Sequence, residues 1–240
     1  MKLVFRVFAL FCALAISTIV PCAQMLQAIV GAQLTAAAGI GLVAHAITTS
    51  TSAAVNTTGA TLIVATCSGF VALTAPSDSK SNTYSAIAGT AVNASGVWLE
   101  TYYANSGTGT FTVGSGHTFT TSGSSPTCEF SAWSGTLTST GVVDTAMTAN
   151  NSANGTSLQP STSSLTPSAT NELIITSTAS TNTLPGLSIN DSFAILDTAT
   201  GYSYSADAYL IDSSASPINP TWSLTSSETV VASIAGFKHP

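Results

Sequence analysis

The sequence predicts an all-β protein, a two-sheet antiparallel β-sandwich. Three observations carry this reading. Short apolar or alternating runs recur along the chain, broken by Gly, Ser, Asn and Pro turn signals about every 8–12 residues. No stretch keeps a helical apolar period. Hydrophobic residues make up 45% of the 240 residues and charged residues only 6%, so a core can form although few ions are present to cover it. Ser and Thr, roughly 30% of the chain against far lower ordinary usage, are expected to build the surface in place of ions. About ten to thirteen strands in one unit imply a jelly-roll or immunoglobulin-like arrangement.

The elements follow in chain order. Residues 1–23 read as a secretory signal peptide: Lys2 and Arg6 supply the positive region, Val7 to Val20 the apolar stretch, and cleavage after Ala23 leaves Gln24 first. The apolar run is shorter than a span needs and Pro21 closes it, so no membrane span is expected once the leader is removed. Residues 24–39 are small and apolar without clear period, a linker or irregular strand. The sandwich is expected over 40–238. Its strands are Ile40–Thr49, Ala60–Phe70, Thr83–Ala88, Val97–Ala104, a hairpin of Thr108–Val113 and His117–Thr121, then Thr127–Trp133 and Gly141–Met147. Residues 149–170 are polar with two prolines and read as a long loop inside the same domain. Glu172–Ser177, Ser192–Leu196, Tyr204–Ile211, Pro220–Thr225 and Thr229–Phe237 complete the set.

Several pieces occur in a fixed succession: DSKSNTYSAI, VWLETYYANSGTGTFTV, CEFSAWSG, VDTAMTANNSANGTSLQPS, ATNELIITS and ETVVASIAGFK. This succession, from about Ala60 to Lys238, resembles a group of bacterial exported β-sandwich proteins, immunoglobulin-like or lectin-like. The resemblance implies a sandwich on a cell surface or in the medium and carries over no catalytic residue. The chain lacks the Trp that follows the first Cys by a dozen or so residues in true immunoglobulin domains.

Charge excludes some functions. The formal net charge is −6, and past the leader Lys80 and Lys238 are the only Lys or Arg residues. Two lysines cannot neutralise a phosphate backbone, so nucleic acid is not an expected partner. Cys12 and Cys22 would leave with the leader. Cys67 and Cys128 then remain, each inside a strand-like run, and two cysteines in an exported protein ordinarily pair; two free buried thiols are the alternative.

No site motif dominates. Tyr202, Tyr204, Trp98 and Tyr102 could offer flat rings to a sugar, with Tyr202 and Tyr204 the expected exposed pair. Asp191, Asp197, Asp207 and Asp212 cluster in sequence and could hold Ca²⁺, the one cofactor the residues suggest; otherwise each caps its own turn. Glu100 and Glu129 are the one carboxylate pair that adjacent strands could bring together for glycoside hydrolysis. His45, His117 and His239 are too scattered to suggest a triad. The expected function is a secreted or cell-surface, non-catalytic binding or adhesion module whose partner is a surface glycan or another exported protein. A glycosidase-type hydrolase on a lectin-like sandwich and a structural subunit of an envelope or appendage are the alternatives.

Overall fold

Leu62–Gly69 is buried at every position. A strand reads that way only when both of its faces are covered, and the fold shows why. In the computed structural model, which describes residues 39–123 and 126–240, the strands are β1 (Gly41–Thr48), β2 (Leu62–Gly69), β3 (Ser77–Asp78), β4 (Ser85–Ala86), β5 (Val92–Ala94), β6 (Val97–Ala104) and β7 (Phe119–Thr120). They continue with β8 (Thr127–Ser134), β9 (Val143–Leu158), β10 (Glu172–Ser180), β11 (Ser188–Ile189), β12 (Ala194–Thr200), β13 (Tyr204–Asp212) and β14 (Trp222–Phe237). The leader read over 1–23, and the segment read as linker over 24–39 apart from Gly39, lie outside the described residues. No helix among the described residues is long and apolar enough to cross a membrane.

Two antiparallel sheets pack face to face, as a two-sheet β-sandwich. The first has the order β1-β8-β2-β6-β4, with β5 also on β6; the second has β11-β14-β10-β13-β12, with β9 also on β14. The chain passes from one sheet to the other once, after β8. In immunoglobulin domains strands A, B, E and D form one sheet and C, F and G the other, so the chain there passes back and forth.

The space between the sheets has three zones. At one end Leu62, Val64 and Trp133 of the first sheet meet Leu173, Ile175 and Phe237 of the second. At the other end Val97 and Leu99 meet Ala179 and Val231. The middle is polar. Ser177 Oγ donates to Thr66 Oγ1 at 3.1 Å, Ser205 Oγ donates to Glu129 Oε1 at 2.9 Å, and the Ser68 and Ser203 hydroxyls lie 2.6 Å apart. Each of these pairs joins one sheet to the other. The hydroxyl-rich composition is therefore not only a surface feature: Ser and Thr also fill the core, where paired hydroxyls escape the cost of an unsatisfied buried polar group.

Each sheet also has a covered outer face. Ile63, Ala65, Tyr102 and Phe130 point away from the second sheet and are roofed by Tyr84 and Phe119 from the loops, with Phe119 stacked on Phe130 at 4.5 Å between ring centroids. On the far side, Trp222, Ile218 and Phe193 cover Ile174, Ala206 and Ala232. The Trp222 indole N–H donates to Thr176 Oγ1 at 3.2 Å.

Three element assignments change. The hairpin expected over 108–121 does not form: Gly109 and Gly114 take φ of +135° and +153°, which breaks an extended pairing, and only Phe119–Thr120 becomes a strand, paired with β3. Phe111 and Val113 instead pack into the roof. The loop expected over 149–170 is strand as far as Leu158, because β9 pairs along β14 from Phe237↔Val143 to Trp222↔Leu158. Backbone pairing does not require apolar side chains, and β9 lies at a sheet edge with alternate residues in solvent. The two strands expected over 220–225 and 229–237 are the single bulged β14.

Candidate functional site

The aromatic candidates separate by burial. Tyr102 is in the roofed core of the first sheet, its hydroxyl donating to Glu100 at 2.6 Å. Burial and that carboxylate push its ionisation far above the ordinary tyrosine range. Trp98, Tyr202 and Tyr204 share one end of the sandwich. Trp98 pairs with Gly69 at the end of β2, Tyr204 opens β13, and Tyr202 is in the β12–β13 turn, 53% exposed. Trp98 and Tyr204 are half-buried on opposite outer faces, so the three do not form one flat platform.

Two residues missed in the sequence join that end. Phe70 and Val71, just after β2, are 43% and 45% exposed. The β2 exit and the β12–β13 turn are held together by the Ser68–Ser203 hydrogen bond. The close approach of the turn requires glycine: a Cβ at Gly201 would meet Thr127 Oγ1 and Thr49 Cγ2, each at 2.5 Å. The signal in the sequence is an aromatic and a valine that carry the apolar run past Gly69; the strand expected over Ala60–Phe70 ends on Phe70 and leaves Val71 outside it.

The carboxylates tell a different story. Glu100 and Glu129 lie on opposite faces of the first sheet. Glu100 is in register with Cys67 on the outer face, whereas Glu129 is in register with Thr66 and points into the sandwich. They cannot flank one glycosidic bond, which corrects the pairing proposed from sequence. The four aspartates are not gathered either. Asp191 is exposed in a turn, and Asp212 accepts from the backbone N–H and hydroxyl of Ser214, as a turn cap does. Asp197 and Asp207 are register partners on β12 and β13. Among the described residues no three His, Cys, Asp or Glu side chains come together as a cation site.

Most of the acids are interior. Glu129 and Asp207 are buried in the inter-sheet space, where Ser205, two residues before Asp207 on β13, donates to Glu129 Oε1 at 2.9 Å; burial raises both carboxyls above the ordinary range. A second pair, Asp144 and Glu172, lies where β9 approaches the start of β10. Burial opposes ionisation of Asp144, but the N–H groups of Ser168 and Ala146 outweigh it and hold that group low. Burial and the Asp144 charge push Glu172 up to about 7. Glu172 binds more protons folded than unfolded between its ordinary value of 4.5 and about 7, so its contribution is full below 4.5 and is lost as pH rises through 7. Glu172→Gln should therefore remove on the order of 3 kcal/mol of the stability difference between about pH 5 and pH 8, checked by urea unfolding at both values.

Among the described residues, His117 forms an arrangement with the connectivity of a catalytic triad. Its Nδ1 lies 2.8 Å from Thr57 Oγ1 and its Nε2 lies 3.1 Å from Asp78 Oδ2, the order of a nucleophile, base and acid. The Nε2 contact is off the direction of a hydrogen bond. Thr57 and His117 are wholly buried, and Thr57 Oγ1 is already engaged with the N–H and C=O of Gly114. The trio ties three roof segments together and offers no route to a substrate. Comparison of the chain with protein-family models, curated proteins and solved structures finds no match.

Proposed function

We propose that the chain is an exported, non-catalytic binding or adhesion module, with surface glycans as the partner class. The observation that carries this reading is the exposure of Phe70, Val71 and Tyr202 at one end of the sandwich, the three most exposed large apolar side chains among the described residues. Aromatic and aliphatic side chains on two loops fixed to each other form a pre-organised contact surface, and a tyrosine combines an apolar face with a polar rim suited to a sugar. Two further facts support it. The Cys67–Cys128 disulfide fits an oxidising, extracellular-type compartment. Of the two acids considered for hydrolysis, Glu129 is buried between the sheets and Glu100 accepts from Tyr102 on the opposite face.

The reading is tested by a glycan-array screen of the chain from Gln24, run with calcium and with chelator. Saturable binding to one sugar class, equal in both conditions, is expected. Absence of binding in both would overturn the glycan reading and favour another exported protein as the partner.

A further inference from the structure

We propose that His45, Asp197, Asp207 and Glu129 form a proton-operated lock between the two sheets, closed while a proton is shared by Asp207 and Glu129 and released along the β1/β12 side when that proton leaves.

The geometry has three parts. Glu129 is on β8 of the first sheet and Asp207 on β13 of the second, 2% and 3% exposed. Glu129 Oε2 and Asp207 Oδ1 have no hydroxyl or amide partner. Two carboxyl groups facing each other in a dry interior are held together by a proton between them; without it they are two adjacent anions, which a low-dielectric core does not tolerate.

Every element packed on the pair supplies a hydroxyl or another acid. β2 contributes Thr66, β10 Ser177, β13 Ser205, and β12 Asp197. None of these can neutralise a second negative charge. The group able to carry positive charge that touches this cluster is His45 on β1, and it meets Asp197, not the buried pair: His45 Nδ1 lies 2.8 Å from Asp197 Oδ2.

That contact also supplies the route. Asp197 stands beside Asp207 in register, and the His45 side chain is 47% exposed. The buried proton is thus two side chains from solvent. The weak side of the sandwich is the same side. β1 and β12 are the outermost strands of their sheets, each with a single neighbour, and His45 and Asp197 bridge them. The opposite side is closed by the apolar contact of Val97 and Leu99 with Val231. Water admitted to relieve two anions enters where the polar residues stand. The upward displacement of both buried carboxyls agrees with this arrangement.

The test is amide hydrogen exchange of the full chain, read by mass spectrometry at about pH 5 and about pH 8 and corrected for the intrinsic rate. Protection of β1 and β12 should fall at least tenfold further between the two than that of β2 and β10, whose change records the loss of overall stability that Glu172 brings. Glu129→Gln, which retains size and a hydrogen-bond donor, should abolish this extra fall. No extra fall at β1 and β12, or the same extra fall in Glu129→Gln, would overturn the proposal. Should the variant not fold, ¹³C carboxyl titration of the unaltered chain decides: Glu129 and Asp207 should titrate in two linked steps with at least one near neutrality, and two ordinary titrations below about pH 5 would overturn the lock.

Discussion

Asp78→Ala should cost about 3–5 kcal/mol, the largest loss expected from any single substitution discussed here. Asp78 is the acceptor at the centre of the roof over the first sheet. Its Oδ1 accepts the N–H groups of Lys80 at 2.9 Å and Asn82 at 3.1 Å, which closes the turn after β3. Its Oδ2 accepts the Asn82 side-chain amide and the Tyr84 hydroxyl, each at 2.8 Å, and faces His117 Nε2 at 3.1 Å. Alanine leaves the Tyr84 hydroxyl and the Asn82 amide without this acceptor, and removes the charge facing the His117 ring, in a site with no solvent access; an orphaned donor there carries its desolvation penalty. Burial alone would raise the Asp78 pKa, but His117 and the donors of Asn82 and Tyr84 outweigh it and lower it to about 2. The folded state therefore binds fewer protons than the unfolded one between 3.8 and about 2, so this contribution is present at neutral pH and lost on acidification through that window. Urea unfolding at neutral pH measures the loss. A cost under about 1 kcal/mol would show that the roof rearranges around the vacancy.

The Cys67→Ala/Cys128→Ala double variant should lose about 4 kcal/mol. The bond closes a loop of 61 residues, which includes all of β3 to β7 and the roof residues Tyr84, His117 and Phe119. Cys67 on β2 and Cys128 on β8 are direct register partners with Cα atoms 4.1 Å apart, so pairing of the two central strands brings them together before any bond forms. The native fold is thus retained without the bond, and the cost falls on the unfolded state, whose loop is freed. The unfolded chain also expands, so the denaturant slope should rise together with the fall in midpoint. A lowered midpoint at constant slope would place the effect in the native core, where both sulfurs pack with Phe130 under the roof.

Those two sites illustrate what was legible in the sequence. The sandwich, its central strands and the disulfide partners could be read because β2, and β8 and β10 apart from one glutamate each, are apolar or small, as strands covered on both faces tend to be. β9 could not, because Asn, Ser and Gly are turn formers in isolation and become strand only when β14 offers a continuous partner. The local role of Asp78, capping its own turn through Oδ1, is of a kind that the Asp-Ser-Lys-Ser-Asn run makes legible. Its larger role needed Tyr84 and His117, and His117 lies 39 residues away across a non-local fold, as the numbering shows. Glu129 and Asp207 could not be paired for the same reason: they lie 78 positions apart on different sheets, and nothing local reveals that each faces another acid. Tyr202 was identified as exposed because a Gly-Tyr-Ser turn has no partner to cover it, whereas Tyr102 was misassigned because its strand carries rings on both faces, each covered.

The measurement that tests the account most directly places surface and interior side by side on one glycan array. The unaltered chain, the variant Phe70→Ser/Val71→Ser/Tyr202→Ser and the variant Glu129→Gln would be compared at neutral pH, each first shown to be folded. The account predicts binding by the unaltered chain, a loss of at least about tenfold in the triple surface variant, equivalent to about 1.4 kcal/mol, and full retention in Glu129→Gln. Retention in the surface variant with loss in Glu129→Gln would contradict it, and would move the functional site from the exposed end into the carboxyl pair between the sheets.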